Sequence, residues 1–305
     1  MFDFLYITFP VSGVKTWIFL PAFTAFFISF FTSMGGVSGA FMLLPFQISI
    51  LNYTDPSVSG TNQLYNIVAI PSGVWRYIKE KRMVWPLAWA VIIGTLPGVL
   101  IGAWVRLEYL QNPGSFKLFA GLVLIYIGIR LLKDIIKLSG ANKKKADITG
   151  EFIVTDTRFS IKRVEFRFQN ESFSFSVPVI FFLCFIVGIL GGIYGIGGGA
   201  IIAPFFVTFF NLPVYIVAGA ALMGTFVTSI AGVAIYHILS VCYTDVNVTP
   251  DWLLGISFGI GGFFGMYLGA RCQRYFPSYI IKLILCLSIL FVGGKYLIGF
   301  IMKCF

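Results

Sequence analysis

Two kinds of residue in this 305-residue chain have a spacing that could do chemistry: neutral polar side chains on one helical face, and glycines set into apolar sequence. In SVSGTNQLYN, residues 57–66, Ser59, Asn62 and Asn66 fall at i, i+3 and i+7 and share one face, with Thr61 and Gln63 beside it. Thr225, Thr228 and Ser229 form a smaller cluster of the same kind, Thr225 matching Asn66. Uncharged amides and hydroxyls can hold an oxyanion by hydrogen bonds and release it, because no opposite charges have to be separated. The same groups can instead bond neighbouring helices. Both readings stay open at this point.

The glycines lie in GGVSGAFMLLP (residues 35–45) and GGIYGIGGGAIIAP (residues 191–204). Each glycine costs a helix interior about 1 kcal/mol against alanine, so both stretches read as breaks in otherwise helical runs. A break at membrane depth frees N–H and C=O groups that lipid cannot satisfy. A half-helix is expected to begin at about Gly39 and at about Gly198. Its free N–H groups and positive dipole end would suit an anion, although close helix packing also uses glycine. The candidate binding residues are therefore Gly36, Val37, Ser38 and Gly39 at the first break, and Gly195, Ile196, Gly197, Gly198 and Gly199 at the second. Ser59, Asn62, Gln63, Asn66, Thr225 and Thr228 complete the set.

Other chemistries are poorly supported. No Asp or Glu falls in the middle of an apolar span; Asp55, Glu80, Glu108, Asp134 and Asp251 lie near predicted ends, which argues against a carboxylate relay. There is no Ser/His/Asp set and no clustered metal site, so an enzyme, a metal and a cofactor are not expected. GIGGGA at 195–200 matches a loose dinucleotide fingerprint, but it lacks the preceding strand and the acidic residue about 20 positions on. His237, the single histidine, reads as structural. The five cysteines have no CxxC spacing, so neither a disulfide framework nor a zinc site is indicated.

These residues must be positioned by membrane helices. The chain is 58% hydrophobic and 11% charged, with a mean hydropathy of +0.91, whereas soluble domains are about 25% charged. Continuous apolar runs exclude the alternating pattern of an outer-membrane barrel. The net charge of +10 fits basic cytoplasmic loops rather than nucleic-acid binding. No cleavable signal peptide is expected. The first fifteen residues are short and interfacial in character. An apolar run follows at 17–51, interrupted at 34–39, and helices are predicted at 58–78, 85–106 and 115–137. After a polar stretch the pattern restarts: a broken run at 178–210, then helices at 216–238, 252–271 and 279–302.

The restart is a repeat. A shift of 159 pairs Gly36 with Gly195, Gly39 with Gly198, Pro45 with Pro204, Asn52 with Asn211, Gly73 with Gly232 and Tyr77 with Tyr236. A shift of 167 then pairs Trp85 with Trp252, and Gly94, Gly98 and Gly102 with Gly261, Gly265 and Gly269. Those four-apart glycines form a packing face. Loop charges bear on orientation. Lys79, Lys81 and Arg82 have a counterpart loop, 238–251, with no Lys or Arg; Arg106 and Lys117 have a counterpart with Arg271, Arg274 and Lys282. Inverted copies gather six of these on one side and two on the other; parallel copies give three and five.

The expected fold is thus an all-α polytopic membrane protein of two inverted repeats, 1–137 and 178–305. Each has a broken, re-entrant helix pair plus three transmembrane helices. The insert at 138–177 carries Lys143, Lys144 and Lys145, then alternation through Val164, Phe166, Phe168, Phe173 and Phe175. It reads as a small cytoplasmic β-hairpin or three-strand unit, a structural cover for the membrane domain. Inverted repeats with discontinuous helices are a recurring plan of secondary transporters.

GVSGAFMLLP and GIYGIGGGAIIAP, with VSGTNQLYNIVAIPSGVWRY and MVWPLAWAVIIGTLPGVLIGAWV, resemble the TauE/SafE sulfite exporter family across both membrane halves. Ser38 and Ala40 stand where the second copy has Gly197 and Gly199, so the two breaks are expected to contribute unequally. The resemblance implies a permease of the bacterial inner membrane that moves a small inorganic or organic sulfur oxyanion. Sulfite export by alternating access is the first expectation, and uptake of sulfate, thiosulfate or a sulfonate the second. A non-transporting receptor or scaffold signalling through the insert is the alternative of another class. The lipid bilayer is the other expected partner, nucleic acid is not expected, and a homo-oligomer is compatible with the sequence.

Overall fold

The computed structural model describes residues 5–34, 37–140, 154–159, 163–168, 171–199, 202–203, 205–206, 210, 212, 214–272 and 278–304. Its helices follow the apolar runs. They are α1 (Leu20–Met34), α2 (Ala40–Ser49), α3 (Ser57–Lys79), α4 (Trp85–Tyr109), α5 (Pro113–Gly140), α6 (Val177–Tyr194), α7 (Val214–Leu239), α8 (Trp252–Cys272) and α9 (Ser278–Cys304). Among the described residues, five stretches are long and apolar enough to cross a membrane, in α4, α5, α6, α7 and α8. Large apolar side chains are exposed on the helices, among them Trp75 on α3, Trp89 on α4, Phe182 on α6 and Phe291 on α9, as expected of surfaces meant for lipid rather than water.

The interior pairs helices from the two halves of the chain. α4 lies along α6, α1 along α8, α3 against α7 and α8, and α5 against α9. The four-apart glycines make this possible: a Cβ on Gly98 would sit 2.3 Å from the Phe185 carbonyl oxygen, and one on Gly265 2.2 Å from that of Phe26. Only glycine lets the backbones come this close. The glycine contacts also give the helix directions. Gly94 faces Phe181 and Cys184, and Gly102 faces Ile189 and Ile193, so α4 and α6 run the same way. Gly60 faces Tyr236 while Gly219 faces Tyr77, so α3 and α7 run in opposite directions. These two helices are matched by the repeat.

Three features depart from the sequence reading. The N-terminus forms a hairpin, β1 (Tyr6–Thr8) with β2 (Lys15–Trp17). Its turn is held by Asp251, whose Oδ2 accepts the Val11 N–H at 3.2 Å, the Ser12 N–H at 2.9 Å and the Ser12 hydroxyl at 2.8 Å. Asp251 Oδ1 also caps α8 by accepting the Leu254 N–H at 3.1 Å. Second, α5 continues to Gly140, into the stretch read as insert; the insert itself takes the three-stranded of its two expected forms, β3 (Val154–Phe159), β4 (Arg163–Phe168) and β5 (Glu171–Ser176), antiparallel in that order. Lys143, Lys144 and Lys145 lie outside the described residues. Third, Arg106, read from sequence as a loop charge, lies fully buried in the last turns of α4.

Candidate functional site

Both breaks and the polar face meet in one buried layer. α1 ends at Met34 and α2 resumes at Ala40, with Gly39 as its N-terminal cap. α6 ends at Tyr194, where Gly195 takes the left-handed conformation at φ 79°. Gly197 repeats it at φ 76°. Two such residues within three positions turn the chain sharply, at a conformation that side chains with a Cβ resist. Helical structure resumes at Gly199 and is seen again at residues 202–203 and 205–206.

Asn62 and Asn66, one turn apart on α3, join the two breaks. The Asn62 amide donates to the Ala40 carbonyl at 2.9 Å and to the Gly195 carbonyl at 3.1 Å. The Asn66 amide donates to the Ile196 carbonyl at 3.0 Å and to the Ser229 hydroxyl at 3.1 Å. Its Oδ1 accepts the Ser38 hydroxyl. Both N–H groups of each amide are therefore used, and the Ala40, Gly195 and Ile196 carbonyls accept from them directly. Ser59 adds a longer bond to the Ile193 carbonyl at 3.4 Å.

One N–H at the start of each half-helix is taken as well. Ser38 Oγ accepts the Ala40 N–H at 3.2 Å, and Thr228 Oγ1 accepts the Gly198 N–H at 3.2 Å. A hydroxyl thus stands before each half-helix where an anion oxygen could stand. Thr225 turns its hydroxyl onto the Ala221 carbonyl at 2.8 Å, and its methyl is 3.0 Å from where a Cβ on Gly197 would lie. A Cβ on Gly199 would meet the Ala221 carbonyl oxygen at 2.1 Å. Val37 is half-buried, with its N–H on the Thr32 carbonyl at 3.1 Å. Gly36 lies outside the described residues, as do Pro204 and Asn211.

Gln63 is different. It is fully buried against Gly232, and neither its Oε1 nor its Nε2 has a hydrogen-bond partner. Gln47 on α2 donates to Asn62 Oδ1 at 3.2 Å while its own Oε1 is unpartnered. Buried polar atoms without partners each cost about 1–3 kcal/mol, so these are the groups with capacity left for a ligand.

The structure places the α3 face and the two breaks named from sequence beside one another, together with residues that the sequence reading did not name. Gln47 stands alone in an apolar half-helix, a signal that was present. Tyr194 and Tyr236 place their hydroxyls 3.3 Å from the Phe41 and Gly192 carbonyls, and Tyr65 shares a 2.6 Å hydrogen bond with Ser29. Such tyrosines look like ordinary apolar residues in sequence. Ser59, Asn62, Gln63, Asn66, Thr225 and Thr228 are all fully buried, so the layer is occluded from both sides. It is a neutral, hydrogen-bonding layer without a charged side chain among these residues. That composition suits a ligand that brings its own charge and has to leave again.

Residues 21–296 match the family model described as "Sulfite exporter TauE/SafE". The chain is also 27% identical over 268 residues to the "Probable membrane transporter protein YunE" of Bacillus subtilis (strain 168), covering 86% of this chain and 90% of that relative. No solved structure matches it.

Proposed function

The chain belongs to the sulfite exporter TauE/SafE family of membrane transporters, and from that premise we propose that it exports sulfite across a bacterial inner membrane by alternating access to the Asn62–Asn66 layer. The observation that carries the reading is that Asn62 bonds to both breaks at once, at the Ala40 and Gly195 carbonyls. A group tied to both halves senses their relative position. An oxyanion entering the layer competes with the Ser38 and Thr228 hydroxyls for the Ala40 and Gly198 N–H groups. It would find further donors at the unpartnered amide of Gln63. Displacing those internal bonds loosens one half from the other, and rocking then exposes the layer to one side.

We take the two halves as inverted, with each break re-entrant. The opposed directions of α3 and α7, which the repeat matches, support this. So does the burial of Arg106 inside α4. With Arg106 withdrawn from its loop, Lys79, Lys81, Arg82, Arg271, Arg274 and Lys282 fall on one side and Lys117 alone on the other. That side is the cytoplasm, and it holds the insert.

The test is flux. Purified protein in liposomes is expected to move sulfite, with sulfate, thiosulfate and small sulfonates as competitors. Sulfite flux equal to that of empty liposomes would falsify the proposed cargo, and preference for a competitor would reassign it.

A further inference from the structure

The geometry points to Arg106 as a second anion-binding position, a cationic subsite for a small oxyanion at the edge of the neutral layer. Arg106 is the largest fully buried side chain among the described residues. None of its guanidinium nitrogens has a hydrogen-bond partner. The guanidinium carbon lies 3.8 Å from the centroid of the Phe116 ring. Stacking of this kind engages the face of the cation and leaves its five edge N–H donors pointing outward.

Its position is next to the second break. α4 and α6 run in register, Gly102 facing Ile189 and Ile193. One turn further along α4, Arg106 comes level with the end of α6 at Tyr194 and Gly195. Phe116 is also a ring neighbour of Tyr194, at 6.5 Å between centroids. On the other flank, Tyr236 and the half-buried Asp55 interact with Arg106 electrostatically. Tyr236 also reaches Ser59 and the Gly192 carbonyl. Arg106 is therefore connected through Tyr236 to the same α3 face that carries Asn62 and Asn66.

A guanidinium removed from water calls for a counter-charge and for acceptors on its edges. None of the described residues hydrogen-bonds to the Arg106 guanidinium or forms an ion pair with it. Among the described residues the ion pairs are Arg76–Glu80 and Arg82–Glu80, so Asp55 does not pair with it. The repeat sharpens the contrast. Tyr77 matches Tyr236, which interacts with Arg106 electrostatically, and Tyr77 has Arg82 over its ring at 4.7 Å. That arginine has Glu80 as its own ion-pair partner; Arg106 has none among the described residues. An oxyanion presenting two oxygens to one edge satisfies the planar fork in a way that a lysine ammonium would not.

The inference rests on the proposed transport only for the choice of sulfite as probe. Full-length protein in detergent, in a gluconate medium, is titrated with sodium sulfite and followed by calorimetry and by thermal unfolding. Wild-type protein is expected to bind saturably and to unfold at higher temperature as sulfite rises. Arg106→Met is expected to weaken binding about tenfold to a hundredfold and to unfold at higher temperature than wild type without sulfite, with Arg106→Lys between them. Wild-type affinity in Arg106→Met overturns the inference. Should that variant fail to fold, a wild-type unfolding temperature that sulfite does not move overturns it equally. Asn66→Leu separates the two readings: normal flux in that variant, with binding still dependent on Arg106, refutes the neutral-layer mechanism and upholds the subsite.

Discussion

Asn62 donates a hydrogen bond to the carbonyl oxygen of Gly195 at 3.1 Å, across 133 residues of chain. The second N–H of the same amide goes to the Ala40 carbonyl at 2.9 Å, so one side chain on α3 is bonded to the backbone beside both breaks. Polar residues in a membrane interior are expensive unless fully used, and here both donors are used on backbone carbonyls at the edges of the breaks. The stability of the layer and its proposed movement depend on the same few bonds.

Replacing Asn62 by leucine leaves the Ala40 and Gly195 carbonyls and the Gln47 amide without their partner. At about 1–3 kcal/mol for each buried group, the loss is expected to lower the unfolding temperature clearly and to abolish sulfite flux in liposomes. Calorimetry and flux on the same preparation check both. An unchanged unfolding temperature would show that these bonds contribute nothing.

The second break leaves no room for a methyl group. A Cβ on Gly198 would lie 2.4 Å from the Cβ of Thr95 on α4. Gly198→Ala is expected to destabilise by about 1–3 kcal/mol through overpacking, and Thr95→Gly in the same molecule to recover part of that loss. A double variant no more stable than Gly198→Ala would mean that the clash lies elsewhere.

Inversion makes a prediction about sidedness. Cys242 is exposed in the loop after α7, and Lys81 lies in the loop after α3. A membrane-impermeant maleimide added to intact cells is expected to label native Cys242, with the signal lost in Cys242→Ser. Lys81→Cys, placed in the Cys242→Ser background, should resist labelling until the cells are opened. Labelling of both positions from outside rules out inverted copies.

Asp251 ties the N-terminal hairpin to α8 through Val11, Ser12 and Leu254. Asp251→Ala removes a fully buried carboxylate acceptor, at an expected cost of about 2 kcal/mol or more. Faster protease cleavage between β1 and β2 is the measurement, since the hairpin loses its hold on the helices. Cleavage at the wild-type rate would mean that other contacts hold the hairpin.

Much of this molecule could be read in one dimension. Helix bounds follow hydropathy closely: the run predicted at 85–106 is α4 at Trp85–Tyr109, and that at 252–271 is α8 at Trp252–Cys272. The face of Ser59, Asn62 and Asn66 was legible because helical spacing alone puts those residues together. The packing role of Gly94, Gly98 and Gly102 was legible because four-apart glycines need a close neighbour. The N-terminal hairpin was not, since its stability comes from Asp251, 239 residues beyond Ser12.

Composition, periodicity and the repeat thus determine by themselves that this is a polytopic helical membrane protein with two matched breaks and one neutral polar face. These are local properties, written in the order of neighbouring residues. Which groups meet across the chain was decided by tertiary structure alone. Arg106 near a helix end looks the same in sequence whether it faces water or Phe116, because hydropathy records how far along a helix a residue lies and not what covers it. The packing of Phe116, Tyr194 and Tyr236 around the end of α4 decides that cover. The tertiary structure places a neutral layer between the breaks and leaves one buried cation beside it.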